Sequence, residues 1–329
     1  MSLRSRRTRA VAAALAAVAS LAAASVATAA TKLSLVAYST PQEAYEAIIP
    51  AFQKTPAGKG VTFDQSYGSS GEQSRAVANG LPADVVALSL APDVTRLVSA
   101  GLVSPSWNTG KYRGIVSNSV VVLTVRKGNP KKIRTWNDLV KPGIDVLIPN
   151  WQTSGGAKWD VLAAYGAQRR LGRSDQAAQD YLRALYKNVS VQDKSAREAL
   201  QTFTQGKGDV LLGYENEAVF AQQKGIPVDY VVPQPTLLIE TPVAVIQQSR
   251  NVKAAKAFVD FLFTPQVQGF FASKGYRPVD RKILNSKRWR AKFPRVKGLF
   301  DIGTLGGWEH VNRVFFDTKN GIAVKVQDK

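Results

Sequence analysis

The sequence contains no cysteine, one histidine and a single methionine, the initiator. Without cysteine there is no disulfide, no thiol nucleophile, no thiolate metal site and no lipid-modified cysteine. The lone histidine, His310 in Gly306-Gly307-Trp308-Glu309-His310, has no Ser-His-Asp pairing around it and reads as a surface or core residue. No Gly-x-x-x-x-Gly-Lys-Ser/Thr loop exists, so nucleotide hydrolysis has no support. Internal repeats are lacking, and so is low-complexity sequence beyond the N-terminus. Acid is also scarce, with 24 Asp and Glu against 44 Lys and Arg, for a net charge of +20.

Part of that charge belongs to a leader. Arg4, Arg6, Arg7 and Arg9 precede an Ala/Val/Leu-rich run from Val11 to Val26, and Ala27-Thr28-Ala29 fits a small-residue cleavage site. Residues 1–29 are therefore expected to be an export signal. The run is short and made largely of alanine, which is weak for spanning a membrane. Arg6-Arg7 raises a twin-arginine route, although Thr8 and Arg9 stand where hydrophobic residues should follow. Loss of the four leader arginines leaves +16 on the mature chain. A basic surface draws anions, and export makes nucleic acid an unsuitable partner. The basic residues are scattered, except for Lys287, Arg288, Arg290, Lys292, Arg295 and Lys297, which read as a solvated face. The protein is expected to be exported, periplasmic or extracellular, not lipid-anchored, and monomeric.

Strand and helix signals alternate along the rest of the chain. Lys32 to Ala37, Val61 to Ser66, Ala83 to Leu88, Ser119 to Val125, Val146 to Ile148, Val189 to Val191, Asp209 to Gly213, Asp229 to Val232 and Thr241 to Ile246 read as strands. Helical patterns follow most of them. Thr40 with Glu43, and Ser195 with Glu198, have capping-box spacing. This alternation predicts α/β architecture with largely parallel sheets. The length suits two lobes better than one sheet, with crossings near Ser119 and Pro242.

Four strand-to-helix turns carry small residues: Ser39-Thr40, Ser69-Ser70-Gly71, Thr153-Ser154-Gly155-Gly156 and Ser195-Ala196. Ligands in such sheets bind where strands hand over to helices. A helix start presents unpaired N–H groups and partial positive charge, which suits an oxyanion. Arg197 is the only cation inside these turns. A pocket of donors prefers a fully ionised anion, because a protonated one brings an O–H with no acceptor. The same pattern also serves as ordinary serine caps and glycine turns, and the residues alone leave both readings open. Asp209, Glu215 and Glu217 could suit only a hard cation, and charge compensation at a helix start explains them as well. Trp136, Trp151 and Trp159 could line a platform or simply pack.

From Leu33 to Phe316 the chain resembles the periplasmic sulfate-binding proteins, the receptor components of ABC-type sulfate and thiosulfate importers. The resemblance lies in Tyr38 to Tyr45, Asp64 to Gly71, Ala83 to Val86, Val125 to Lys131, Trp136 to Leu139, Ser154 to Ala157, Tyr214 to Ala218, Tyr276-Arg277-Pro278 and Gly306-Gly307-Trp308. It implies a type II periplasmic-binding-protein fold, two α/β lobes with the ligand cleft between them: residues 30–118, residues 119–240, and 241–329 returning to the first lobe with a tail. It implies backbone N–H donors at Ser39, Ser70, Gly155, Gly156 and Ala196, a hydroxyl at Ser154, and an aromatic donor at Tyr214. The family's usual indole is here Tyr214, whose phenol can accept as well as donate, and its usual aspartate is here Ser39. Trp151, Gln152 and Lys158 replace the more common Pro, Lys and Arg. The implied function is capture of sulfate or thiosulfate and delivery to a membrane permease, with no catalysis, cofactor or metal. The alternatives are a receptor for phosphate, molybdate or tungstate, and more remotely a hydrolase built on Tyr214 and Glu215.

Overall fold

The computed structural model describes residues 31–327, so the expected export signal lies outside the described residues. Nine strands form one continuous sheet: β1 (Thr31–Tyr38), β2 (Val61–Gly68), β3 (Val85–Ala87), β4 (Ile115–Arg126), β5 (Val146–Leu147), β6 (Val189–Val191), β7 (Val210–Tyr214), β8 (Val228–Val231) and β9 (Leu238–Val245). Their order is β2-β1-β3-β9-β4-β7-β5-β6, with β8 also paired to β4. The helices that matter for the site are α1 (Gln42–Gln53), α2 (Ser70–Ala78), α3 (Ala91–Ser99), α4 (Gly155–Arg170), α5 (Asp175–Lys187), α6 (Ala196–Thr204) and α7 (Glu215–Gln223).

The sheet is mixed rather than largely parallel. β1 pairs with β3, and β5 with β6 and β7, in parallel, but β9 runs antiparallel to β3 and β4, and β4 antiparallel to β7 and β8. The long strand β4 joins the two halves. Its first part pairs with β9, from Ile115 opposite Pro242 to Val120 opposite Leu238. Its second part pairs with β7, from Val121 opposite Tyr214 to Val125 opposite Val210. Nearly every β4 residue is buried, as its unbroken β-branched run requires for a strand covered on both faces.

Each half has its own core. Leu33, Leu35, Ile48, Phe52, Phe258 and Phe271 fill one, against the sheet end formed by β1 and β3. Trp136, Trp159, Leu162, Tyr181, Leu185 and Phe300 fill the other, around α4. The three tryptophans pack: Trp136, Trp151 and Trp159 are all buried, and the Trp136 indole donates to the Pro235 carbonyl at 2.7 Å. His310 is exposed. No helix among the described residues is long and apolar enough to cross a membrane.

Helix α4 is buried along almost its whole length, and one position shows how closely it packs. A Cβ on Gly166 would stand 2.4 Å from Phe300 Cε2 and 2.6 Å from Cζ. The Phe300 ring has little room to give way, because it is buried in the core and its backbone is bonded to Thr236 and Leu238. Gly166→Val is expected to destabilise the protein by about 1–3 kcal/mol through overpacking. Chemical denaturation checks this, and an unchanged midpoint would contradict the packing described.

Candidate functional site

Five helix starts face one another where the two halves meet. The chain leaves β1 at Tyr38 and bends through Ser39 and Thr40 into α1. Ser69 caps α2, Ser154 caps α4, Ser195 caps α6, and Tyr214 is both the last residue of β7 and the cap of α7. All four caps have extended backbone, which leaves the first N–H groups of each helix pointing away from its own carbonyls. Among the described residues, none of the N–H groups of Ser39, Ser70, Gly155, Gly156 and Ala196 donates to another backbone carbonyl.

Close approaches bring these groups together. A Cβ on Gly156 would lie 2.9 Å from Tyr214 Cε2, 3.2 Å from Ala196 Cβ and 3.3 Å from Ser154 Oγ. Gly156, Tyr214, Ala196 and Ser154 therefore share one small volume. A Cβ on Gly155 would lie 2.5 Å from Ser89 Oγ, a residue of the opposite half. Ser89 is tied to Ser70, whose hydroxyl accepts the Ser89 N–H at 2.9 Å and donates to Asp93 at 2.6 Å. Ser39 is placed by its flanks: the Tyr38 ring lies 6.0 Å from that of Tyr214, and the Thr40 carbonyl accepts from Arg197 at 3.1 Å. Ser154 Oγ accepts from the Ala157 N–H at 3.3 Å, so its own hydrogen is free to be donated.

The halves are closed on each other. The Gly71 N–H donates to the Thr153 carbonyl at 3.1 Å, the Trp159 indole to the Ser89 carbonyl at 3.1 Å, and the Ser89 and Tyr214 hydroxyls lie 2.6 Å apart. Ser70, Ser154, Ala196 and Tyr214 are buried as a result. A groove of about 560 Å³ lies elsewhere, along Arg113, Glu240 and Asp280, and carries both signs of charge.

Arg197 is not a free cation. Its guanidinium meets Glu43 of α1 at 2.7 and 2.9 Å and Glu217 of α7 at 2.8 and 3.0 Å, and it lies over the Phe220 ring. Burial pushes the Glu43 carboxyl up, but the Arg197 hydrogen bonds and charge outweigh it and leave Glu43 below its ordinary value. Burial prevails at Glu217, which is raised. The site's positive potential therefore comes from N–H groups and helix dipoles, which need no counter-charge. Burial also raises the Tyr214 phenol well above its ordinary range, with Tyr38, Asp160 and Glu217 adding to it, so the hydroxyl keeps its hydrogen.

The capping box expected at Thr40 and Glu43 does not form. The cap position falls on Pro41 with no side-chain bond. Thr40 Oγ1 instead lies 3.0 Å from Tyr276 Oη, and Glu43 is drawn across to Arg197. Ser195 does cap, accepting from the Glu198 N–H at 3.2 Å. Glu215 pairs with Arg277, Glu217 with Arg197, and Asp209 accepts the Asp145 N–H. No cluster of three metal-ligating side chains occurs among the described residues. Ser89 had no signal in the sequence beyond its place after a short strand.

A closed pair of α/β lobes with helix starts converging between them defines an extracytoplasmic solute receptor, and the family model of bacterial extracellular solute-binding proteins matches residues 33–277. Within that class, the chain belongs to the sulfate-binding protein family. It is 44% identical over 298 residues to the sulfate-binding protein of Synechococcus elongatus, covering 87% of this chain and 83% of that one. It is 39% identical to the sulfate-binding protein of Escherichia coli, covering 85% of this chain and 88% of that one. The thiosulfate-binding protein of Pseudomonas aeruginosa is 35% identical, with 85% of this chain and 88% of that one covered. Among solved structures, the sulfate-binding protein SubI from Mycobacterium tuberculosis superposes with a TM-score of 0.84 at 45% identity, covering 87% of this chain and all of that one.

Proposed function

We propose that this protein captures sulfate between its lobes and delivers it to the membrane permease of an ABC importer, without catalysing any reaction. The observation that carries this is the convergence of uncompensated N–H groups from helix starts of both halves on one buried spot. The ligand-binding groups are the N–H groups of Ser39, Ser70, Gly155, Gly156 and Ala196, the Ser154 hydroxyl and the Tyr214 phenol. The lobes are residues 30–118 with 241–329, and residues 119–240. Because the cradle is buried when closed, a ligand enters only when the halves part, so binding is a hinge closure. Capture takes place outside the cytoplasm by an exported chain that is not lipid-anchored.

A dianion here receives hydrogen bonds from about seven donors, each worth about 1.5–3 kcal/mol to a charged acceptor. After dehydration and closure this leaves roughly micromolar affinity or tighter. Titration calorimetry of the mature chain with sulfate, thiosulfate, molybdate and phosphate is the test. Sulfate is expected to bind at that strength, and absence of sulfate binding would sink the reading. Thiosulfate is the second expected ligand, because a thiosulfate-binding protein aligns over 85% of this chain.

A further inference from the structure

The Tyr214 hydroxyl does not face the cradle alone. Its oxygen lies 2.6 Å from Ser89 Oγ, and the two residues come from opposite sides of the cleft. Both are 1% exposed. Ser89 has little freedom to leave, since its N–H is held by Ser70 Oγ and its carbonyl by the Trp159 indole. The pair lies against the two cradle glycines, Ser89 Oγ at Gly155 and the Tyr214 ring edge at Gly156.

Two hydroxyls own two hydrogens, and the bond between them uses one. If Ser89 donates, the Tyr214 hydrogen is free and the pair offers the ligand a donor. If Tyr214 donates, its oxygen keeps a lone pair and the pair offers an acceptor. Among the other cradle groups the backbone N–H groups only donate, and Ser154 Oγ, which already accepts from Ala157, keeps its hydrogen and one lone pair. We propose that Ser89 and Tyr214 form a reversible hydroxyl pair that lets the cradle hold a tetrahedral oxyanion either fully ionised or singly protonated, with Ser89 the positioning residue that makes the protonated form acceptable. This rests on the anion-binding reading above.

The consequence is a difference between two anions. A protonated ligand that donates to Tyr214 requires Tyr214 to turn its own hydrogen toward Ser89. Without the Ser89 hydroxyl that hydrogen is buried and unpaired. A fully ionised ligand accepts the Tyr214 hydrogen directly and does not need Ser89 as an acceptor.

The test is calorimetry of the full mature chain and its Ser89→Ala variant with sulfate and with inorganic phosphate at about pH 8, where phosphate is a dianion carrying one proton. The wild type is expected to bind both. In Ser89→Ala the loss for hydrogen phosphate should exceed the loss for sulfate by about 5–100-fold, the range for a stranded buried hydroxyl. Sulfate binding by the variant is its own folding control. If the variant folds poorly, Tyr214→Trp with Ser89 kept carries the same expectation, since an indole N–H can only donate. Wild-type binding of sulfate with none of hydrogen phosphate would overturn the proposal, and so would equal losses for both anions. Failure of the wild type to bind sulfate would instead remove the anion-binding reading on which the proposal stands.

Discussion

Gly156→Asp is expected to abolish anion binding while the protein stays folded. The new Cβ arrives 2.9 Å from a Tyr214 ring carbon, 3.2 Å from Ala196 Cβ and 3.3 Å from Ser154 Oγ, so it enters the volume where the proposed donors meet. Its carboxylate then competes for those same donors. A negative side chain in the first turn of a helix is favoured by the dipole, so α4 keeps its start and the aspartate occupies the cradle as a tethered anion. An incoming dianion would lose hydrogen bonds and meet like charge. Loss of two such bonds alone reduces affinity more than about 100-fold. Calorimetry with sulfate measures this, and thermal unfolding reports whether the fold is intact. Sulfate binding within tenfold of the wild type would show that the cradle lies elsewhere.

The helix starts were legible because caps are local. Ser69, Ser154 and Ser195 each stand next to the helix they cap, and small residues at a strand-to-helix junction are visible in a window of a few residues. Ser89 was not legible, because its role depends on Tyr214, distant in sequence and brought near only by closure. Thr40 and Glu43 show the opposite failure. Their spacing is that of a local cap, yet long-range partners win: Glu43 gains a bidentate bond to Arg197, which is stronger than a neutral cap bond. Arg197 stood out in the sequence as the one cation among the turns, but its carboxylates come from α1 and α7.

The same division runs through the fold. Alternation of strand and helix was readable from residue type and period, and the observed elements fall close to those positions. Strand direction was not readable. A β-branched run such as Ser119 to Val125 reports burial on both faces but not the direction of its neighbours, and β4 and β9 both lie antiparallel in an expected parallel setting. Antiparallel pairing lets each strand serve both halves in one pass. That is how the chain crosses between lobes without breaking the sheet.

Arg277→Ala is expected to destabilise the protein by about 3–5 kcal/mol, the loss typical when one partner of a buried pair is removed. Arg277 donates through Nε and Nη2 to both oxygens of Glu215, at 2.6 and 2.9 Å, and through Nη1 to the Pro294 carbonyl at 3.2 Å. Its backbone is stitched to Asn118 of β4 in both directions. Glu215 is the first residue of α7 and is 1% exposed. The pair thus fastens the start of α7, the crossing strand and the chain at Pro294. Burial pushes the Glu215 carboxyl above its ordinary value of 4.5, and Arg277 opposes that rise. Without Arg277 the opposition is gone, and Glu215 stays protonated in the folded state to a higher pH. A group whose folded pKa exceeds its unfolded pKa contributes stability below the unfolded value and loses it as pH rises through the folded value. The deficit of the variant should therefore be smallest near about pH 4 and grow toward neutrality. Urea unfolding at several pH values checks both size and slope. Replacing the pair together, Arg277→Met with Glu215→Leu, should restore most of the loss, because no buried charge is then left unpaired. A deficit below about 1 kcal/mol, the scale of an exposed pair, or one that does not change with pH, would show that Glu215 does not depend on Arg277 for its place in the core.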